Sequence, residues 1–533
     1  MTDSATEPFI PARRKATTRS ARGVLAILAL ALTLLPSCGE EPSNNANGTT
    51  STSSFDGPPI VVVGMDGLEW AVMKPLLDAG KLPNFQKLIE RGVGGGLATF
   101  QPTFSPVVWT SIATGMPREK HGIMYFSEWR NGRPVPGGLP YTSNSRKVPA
   151  VWNIASDHDR DVLSVGWWVS WPAEQVNGRV VASYAAQAQG QLLWKPGIWK
   201  DGLPELTFPK GLKEVIAPHL EAGRPDGPVR SDYEEIFNRI PGDALPPEQM
   251  DQDPWAFPRG RDAFFRISYH ADRTHLEIFK EQLAEYCASL NMIYFGLPDV
   301  AGHFWWRYRE PGAFQYSIPP EQAAQLQRHI DKSYIIADGF LADIVASAPD
   351  NARIMVISDH GMHGGNFNNP NAVQSGLHED APPGVLIMAG PGIRAEGLKP
   401  TVEWNFQVVV PGPGGRAVRE NRKLMAPAEV GGVYDITPTL LDWLGIPTAR
   451  DMSGSSLRQH LEQEWLDAHP LQAIATYSTG YRAATPPRVP SKDLNKVFQE
   501  SVLEQMGYVE GEASMRALDE KKKQDGKQPQ DGK

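Results

Sequence analysis

Residues 353–362 read Arg-Ile-Met-Val-Ile-Ser-Asp-His-Gly-Met. The run Ile354 to Ile357 is continuously apolar, and Ser358, Asp359 and His360 follow it without a spacer. A strand with one wet face would alternate apolar and polar residues. A continuous run is what a strand buried on both faces looks like. Such strands belong to parallel sheets covered by helices on both sides. A titratable pair directly past the run therefore sits at the carboxyl end of a sheet strand. Ligands of open parallel sheets bind in the crevice outside those ends.

The same grammar recurs on either side. Pro59 to Gly64 (PIVVVG) precedes Met65-Asp66-Gly67, and 292–297 (MIYFGL) precedes Pro298-Asp299. Further runs lie at 161–166 (DVLSVG) and 385–389 (VLIMA). Helical patterns are expected at 68–79, 84–91, 271–290, 320–347 and 434–445. Strands alternating with helices predict an α/β fold around a mainly parallel sheet. Residues 130–265 break this rhythm with Pro, Gly, Trp and an acidic middle, and are expected to form an inserted cap. A smaller insertion is expected at 401–430. The catalytic domain then spans 58–507, and the polar residues 508–533 read as a disordered tail.

Composition narrows the class. The chain has 533 residues, of which 41% are hydrophobic and 21% charged, so a large core can form. A net charge of −9 argues against binding a nucleic-acid polymer, which wants a basic surface. Two cysteines exclude a disulfide scaffold or a Cys-rich zinc module. Fifteen Trp and 47 Pro suit a loop-rich enzyme.

Polar residues gather just past the strand ends. Asp66, Asp299 and Asp359 converging there would repel one another unless cations neutralise them, which points to metal. Asp299 and His303 are four apart and share a helix face. His360 adjoins Asp359, and His378 lies before the run at 385–389. Asp and His together suit zinc, with manganese possible. A nucleophile candidate is Ser105 in Ser-Pro-Val-Val-Trp. Read locally, Ser105 is an N-cap and Pro106 the first helical residue. The same position would set a hydroxyl where helix N–H groups favour phosphate.

The N-terminus reads as an address. Arg13, Arg14, Lys15, Arg19 and Arg22 precede an apolar run, Gly23 to Leu35, that is short for a bilayer span and right for a signal peptide. It ends Leu-Pro-Ser-Cys at 35–38, which resembles a bacterial lipobox with Cys38 as the lipid attachment point. The reading is a leader at 1–37 and a flexible tether at 38–57, reaching about 25 Å. The chain is thus expected on the periplasmic or extracellular face of a bacterial envelope, held to the membrane by lipid.

Met65-Asp66-Gly67, SPVVWTSIATG at 105–115, KHGI at 120–123, the Asp299/His303 pair, SDHGM at 358–362 and His378 stand in the order of one family. Together they resemble the type I phosphodiesterase/nucleotide pyrophosphatase family of the alkaline phosphatase superfamily. The resemblance implies an α/β/α sandwich with two metal ions, commonly zinc. It implies Asp66, Asp359 and His360 on one ion beside the nucleophile, and Asp299, His303 and His378 on the other. Ser105 falls at the family's nucleophile position, with Thr103 as the fallback.

The implied activity is hydrolysis of phosphate esters, phosphodiesters above all, through a phosphoserine. Rivals are a phosphotransferase, a non-catalytic envelope binding protein and a sulfatase-like arylesterase. Two departures bear on this. Val108 stands where nucleotide-cleaving members carry an Asn, and neither Cys38 nor Cys287 occupies a sulfatase motif. His363 and His121 read as supporting residues. Trp167, Trp168 and Trp171 read as core, and Arg307, beside His303, as a substrate-binding candidate.

Overall fold

The first strand, β1 (Ile60–Met65), is buried at all six positions. Ile60 and Val62 join one apolar cluster, while Val61, Val63 and Met65 join another. Both faces are covered, as the continuous apolar run requires. This is a computed structural model. It describes residues 55–131, 133–134, 140–186, 205–222, 261–372, 374–378, 380–411 and 417–481. The expected leader, Cys38, nearly all of the tether, the acidic middle of the 130–265 insertion and the tail at 508–533 lie outside the described residues.

After β1 come α1 (Trp70–Asp78), α2 (Pro83–Glu90), β2 (Gly92–Ala98), α3 (Ser105–Thr114) and α4 (Val151–Asp157). Then follow β3 (Val162–Val165), β4 (Gly178–Val181), β5 (Thr207–Phe208), α5 (Leu212–Ala222) and α6 (Arg261–Tyr286). Next are β6 (Leu290–Phe295), α7 (Leu297–Arg309), α8 (Arg328–Ser347), β7 (Arg353–Ile357) and β8 (Gly384–Ala389). Then come β9 (Gly397–Leu398), β10 (Thr401–Pro411), β11 (Ala417–Pro427), β12 (Glu429–Gly432) and α9 (Ile436–Trp443), with a short helix at Gln463–Ala468 beyond them.

The main sheet runs β9-β2-β8-β7-β1-β6-β3-β4-β5, with β12 also on β2. Strand β1 pairs in parallel with both β6 and β7. Strand β8 is antiparallel to β7 and to β2, so β2 points the same way as β7. Helices α1, α2 and α5 to α8 pack into one apolar cluster, and α3, α4 and α9 into the other. The result is an α/β/α sandwich around a mainly parallel sheet, in agreement with the expectation from sequence.

The two regions read as insertions fold differently from each other. Strands β3, β4 and β5 lie within the expected cap yet extend the central sheet beyond β6. The apolar pairing of Val162–Val165 with β6 draws them into the sheet. At 401–430, β10 and β11 do form a separate hairpin, paired from Thr401↔Pro427 to Pro411↔Ala417. Among the described residues no helix is long and apolar enough to cross a membrane.

Strand β2 (GVGGGLA) has no counterpart in the sequence reading, because Gly weakens a strand in isolation. Tertiary packing explains its glycines. A Cβ on Gly92 would lie 1.9 Å from the carbonyl oxygen of Met388, and one on Gly95 would lie 2.4 Å from that of Ala428. Neighbouring backbones approach β2 more closely than any side chain permits. Gly92→Ala is therefore expected to cost about 1–3 kcal/mol. Gly211→Ala, where nothing lies within 4 Å, should stay within about 0.5 kcal/mol. Thermal unfolding of the two variants beside the parent checks this, and equal midpoints would refute the packing account.

Candidate metal centre and active site

Strands β7, β1 and β6 are parallel neighbours, so their carboxyl ends share one edge. Asp66 follows β1, Asp359 and His360 follow β7, and Asp299 stands in the first turn of α7 just past β6. His378 arrives on the loop before β8, whose antiparallel direction starts it at the same edge. Strand β2 runs out there into the segment carrying Thr103 and Ser105. The six expected ligands and Ser105 are all at most 3% exposed.

His360 stands at the middle. Its Nε2 lies 3.3 Å from Asp66 Oδ1, 3.1 Å from Asp359 Oδ2 and 3.4 Å from Ser105 Oγ. Asp299 Oδ1 lies 3.5 Å from His303 Nε2 and 3.7 Å from His378 Nε2. Among the described residues, two triplets bring ligand atoms within 4.8 Å of one another: Asp66, Asp359 and His360, and Asp299, His360 and His378. The first matches the expected grouping. In the second, His360 is shared, and its ring stacks on His378 at 4.0 Å. His303 flanks that triplet, its ring centroid 4.9 Å from His378.

The histidines are oriented by backbone carbonyls. His303 Nδ1 lies 2.8 Å from Gly376 O, His360 Nδ1 2.9 Å from Gly361 O, and His378 Nδ1 2.8 Å from Thr103 O. A carbonyl can only accept, so each Nδ1 carries a proton, and each Nε2 is turned towards the carboxylates. Thr103 donates its hydroxyl to the carbonyl of His378. Ser105 is not the cap of α3. Phe104 takes that place with extended backbone, the helix begins at Ser105, and the Ser105 hydroxyl faces His360.

The donor set fits a divalent cation. Asp66 Oδ1 and both Asp359 oxygens are buried and accept no hydrogen bond of good geometry. Leaving such atoms unsatisfied is costly, and a cation among them would offset that cost. The electrostatics agree. Burial, and then the Asp66 charge, push Asp359 up to about 7. Burial alone would depress His360, but Asp359, Asp66 and Asp299 around it push it up to about 10. Burial drives His303 down to about 4, and burial with the neighbouring His360 and His303 holds His378 well below the usual range.

Other residues support this centre without a sequence signal. Asp66 Oδ2 accepts hydrogen bonds from Tyr294 Oη at 2.7 Å and Trp109 Nε1 at 3.1 Å. Asp272 accepts from the Gly296 and Leu297 amides and so caps the helix that carries Asp299 and His303. Glu69 accepts from Ala71 N and Met362 N, tying α1 to the loop after His360. Burial pushes both Asp272 and Glu69 up to about 7.

The remaining expected residues have other contacts. Arg307 donates to the carbonyls of Pro370 and Ala372, holding the loop before His378. His121 meets Ser111 Oγ and accepts from Ile123 N, bracing the end of α3. His363 Nδ1 bonds the Gly364 carbonyl. Trp167, Trp168 and Trp171 are buried, and Cys287 is half-buried beside the core.

The model of the family described as type I phosphodiesterase / nucleotide pyrophosphatase matches residues 60–398. No curated relative matches the chain in sequence. Human ectonucleotide pyrophosphatase/phosphodiesterase 5 is similar at 12% identity, with 76% of this chain and all of that one covered and a TM-score of 0.41. A phosphonoacetate hydrolase from Sinorhizobium meliloti 1021 is similar at 16% identity and a TM-score of 0.35. The chain covers 58% of that hydrolase's length, and 58% of this chain is matched. A phosphonate monoester hydrolase from Silicibacter pomeroyi is similar at 15% identity, with 76% of each chain covered and a TM-score of 0.36.

The geometry predicts a metal-dependent thermal shift. Chelator-washed protein given zinc or manganese at a hundredfold excess over the dissociation constant should gain about 2.7 kcal/mol per ion. Asp359→Asn should lose most of one ion's share. Because it also removes one of the mutually repelling carboxylates, the metal-free variant should be at least as stable as the metal-free parent. Equal shifts in both proteins, read by calorimetry, would place the metal elsewhere.

Proposed function

The chain belongs to the type I phosphodiesterase / nucleotide pyrophosphatase family, and on that premise we propose that it hydrolyses phosphodiesters with Ser105 as nucleophile and two divalent metal ions. The observation that carries the proposal is the Ser105 hydroxyl, 3.4 Å from His360 Nε2 at the start of α3 and beside the Asp66–Asp359 pair. Asp66, Asp359 and His360 would hold one ion. Asp299, His303 and His378 would hold the other. Oxygen and imidazole donors suit zinc, and manganese also fits. The bound ions supply Lewis acidity and neutralise the charge that develops on the phosphoryl oxygens and the leaving oxygen.

The rest falls to the chain. Ser105 Oγ is presented at a helix N-terminus, where backbone N–H groups favour a phosphate. It forms a bond to phosphorus as the bond to the leaving alcohol breaks in line. Water then breaks the phosphoserine bond from the opposite side, and the configuration at phosphorus is retained. Thr103 is the weaker candidate, because its hydroxyl is donated to the His378 carbonyl. Val108 offers no donor to a phosphate oxygen, so a phosphodiester other than a nucleotide is favoured. The N-terminal sequence supports lipid attachment at Cys38 and a place at the bacterial envelope.

Ser105→Ala is expected to lose at least about 100-fold in turnover of bis-nitrophenyl phosphate while keeping the parent's metal content. Thr103→Val should retain Ser105-dependent turnover. Parent-like rates in Ser105→Ala would remove the covalent mechanism. Rates on nitrophenyl phosphate and nitrophenyl sulfate, measured side by side, should fall below the diester rate.

A further inference from the structure

Asp66 is held asymmetrically. Its Oδ1 faces His360 Nε2 at 3.3 Å and accepts no hydrogen bond. Its Oδ2 takes two, from the Tyr294 hydroxyl at 2.7 Å and the Trp109 indole at 3.1 Å. A carboxylate oxygen that accepts two strong donors has little left for a cation. The opposite oxygen is thereby selected.

Both donors are locked. Trp109 and Tyr294 are 0% and 1% exposed, and their rings meet edge to face at 5.3 Å and 87°. Trp109 also meets Trp167 at 5.1 Å and 86°. The Trp109 ring also lies against Gly64 of β1, where a Cβ would fall 2.8 Å from ring carbon Cζ3. Trp109 has no room to rotate, and Gly64 is what admits it. A polar hydrogen fixed in this way restrains its acceptor.

The donors also link elements of the site. Trp109 stands one helical turn after Ser105 on α3, so both project from one face of that helix. Tyr294 lies on β6, shortly before the turn that leads to Asp299. The hydrogen bonds thus join the first strand's carboxylate to the nucleophile's helix and to the strand that feeds the second triplet.

We propose that Trp109 and Tyr294 are positioning residues that restrict Asp66 to single-oxygen metal ligation through Oδ1 and set the spacing between that oxygen and the Ser105 hydroxyl. The proposal rests on the two-metal reading above and goes beyond it, since it assigns metal affinity at one of the two sites to a pair of core aromatics. Packing alone would predict a different result. Loss of a purely structural contact lowers stability and affects both metal sites alike. Loss of a donor to one carboxylate weakens one ion and leaves the other.

The experiment is a zinc titration of the chelator-washed full chain against a competing chelator, with thermal midpoints recorded alongside. Tyr294→Phe keeps the ring and removes only the hydroxyl. Trp109→Phe keeps an aromatic ring and removes the indole donor. Each should weaken one ion about 10–100-fold and leave the other unchanged. Asp299→Asn serves as the counterpart that weakens the other ion.

Parent-like affinity at both sites in Tyr294→Phe overturns the proposal while the two-metal reading stands. Equal weakening of both ions with a lowered midpoint also overturns it, as a packing effect. A parent protein that binds no zinc or manganese overturns both readings. Should Trp109→Phe fail to fold, Tyr294→Phe alone decides.

Discussion

Three buried carboxylates, Asp66, Asp299 and Asp359, meet at one edge of the sheet, each at most 1% exposed. Their mutual repulsion in a poorly solvated crevice is the constraint to which the rest of the centre answers. Burial, and then the Asp66 charge, push Asp359 up to about 7, while attraction to the surrounding carboxylates outweighs burial and pushes His360 up to about 10. The histidines beside them are held in one orientation. Each Nδ1 is tied to a carbonyl, so every Nε2 faces the carboxylate cluster. A divalent cation is the economical answer to such an arrangement, because it satisfies lone pairs and charge together.

The fold delivers these groups through strand direction. Parallel β6, β1 and β7 end side by side and contribute the three carboxylates. Antiparallel β8 then begins where they end, which is how His378 enters. Strand β2, bonded to β8, brings Thr103 and Ser105 to the same edge. Its glycines permit the approach of Met388 and Ala428 backbones that a side chain would block. A strand that looks poor in isolation is thus the one that seats Ser105.

Much of this was legible in the residues. Strands β1, β6, β7 and β8 are apolar runs, and the Asp and His residues beyond them mark the crevice. Ser105 was legible as the start of a helix, although its hydroxyl turned out to face His360 rather than to cap. Strand β2 was not legible, because glycine in a strand gains its meaning from neighbours far along the chain. Arg307 lies near His303 in sequence, yet its guanidinium holds the carbonyls of Pro370 and Ala372. Trp109 and Tyr294 look like core aromatics in any pattern of hydrophobicity, and their polar atoms gain meaning only beside Asp66.

By itself the sequence determined the apolar strands, the layered class and the residues able to hold a cation, because apolar periodicity and residue chemistry are local properties. Tertiary structure alone decided which atoms meet. Ser105 and His360 are 255 residues apart, and Tyr294 and Asp66 are 228 apart. Which carboxylate oxygen is hydrogen-bonded, which imidazole nitrogen faces the carboxylates and which strand turns antiparallel depend on sheet order and close packing. Those are relations between distant segments, and no local pattern encodes them.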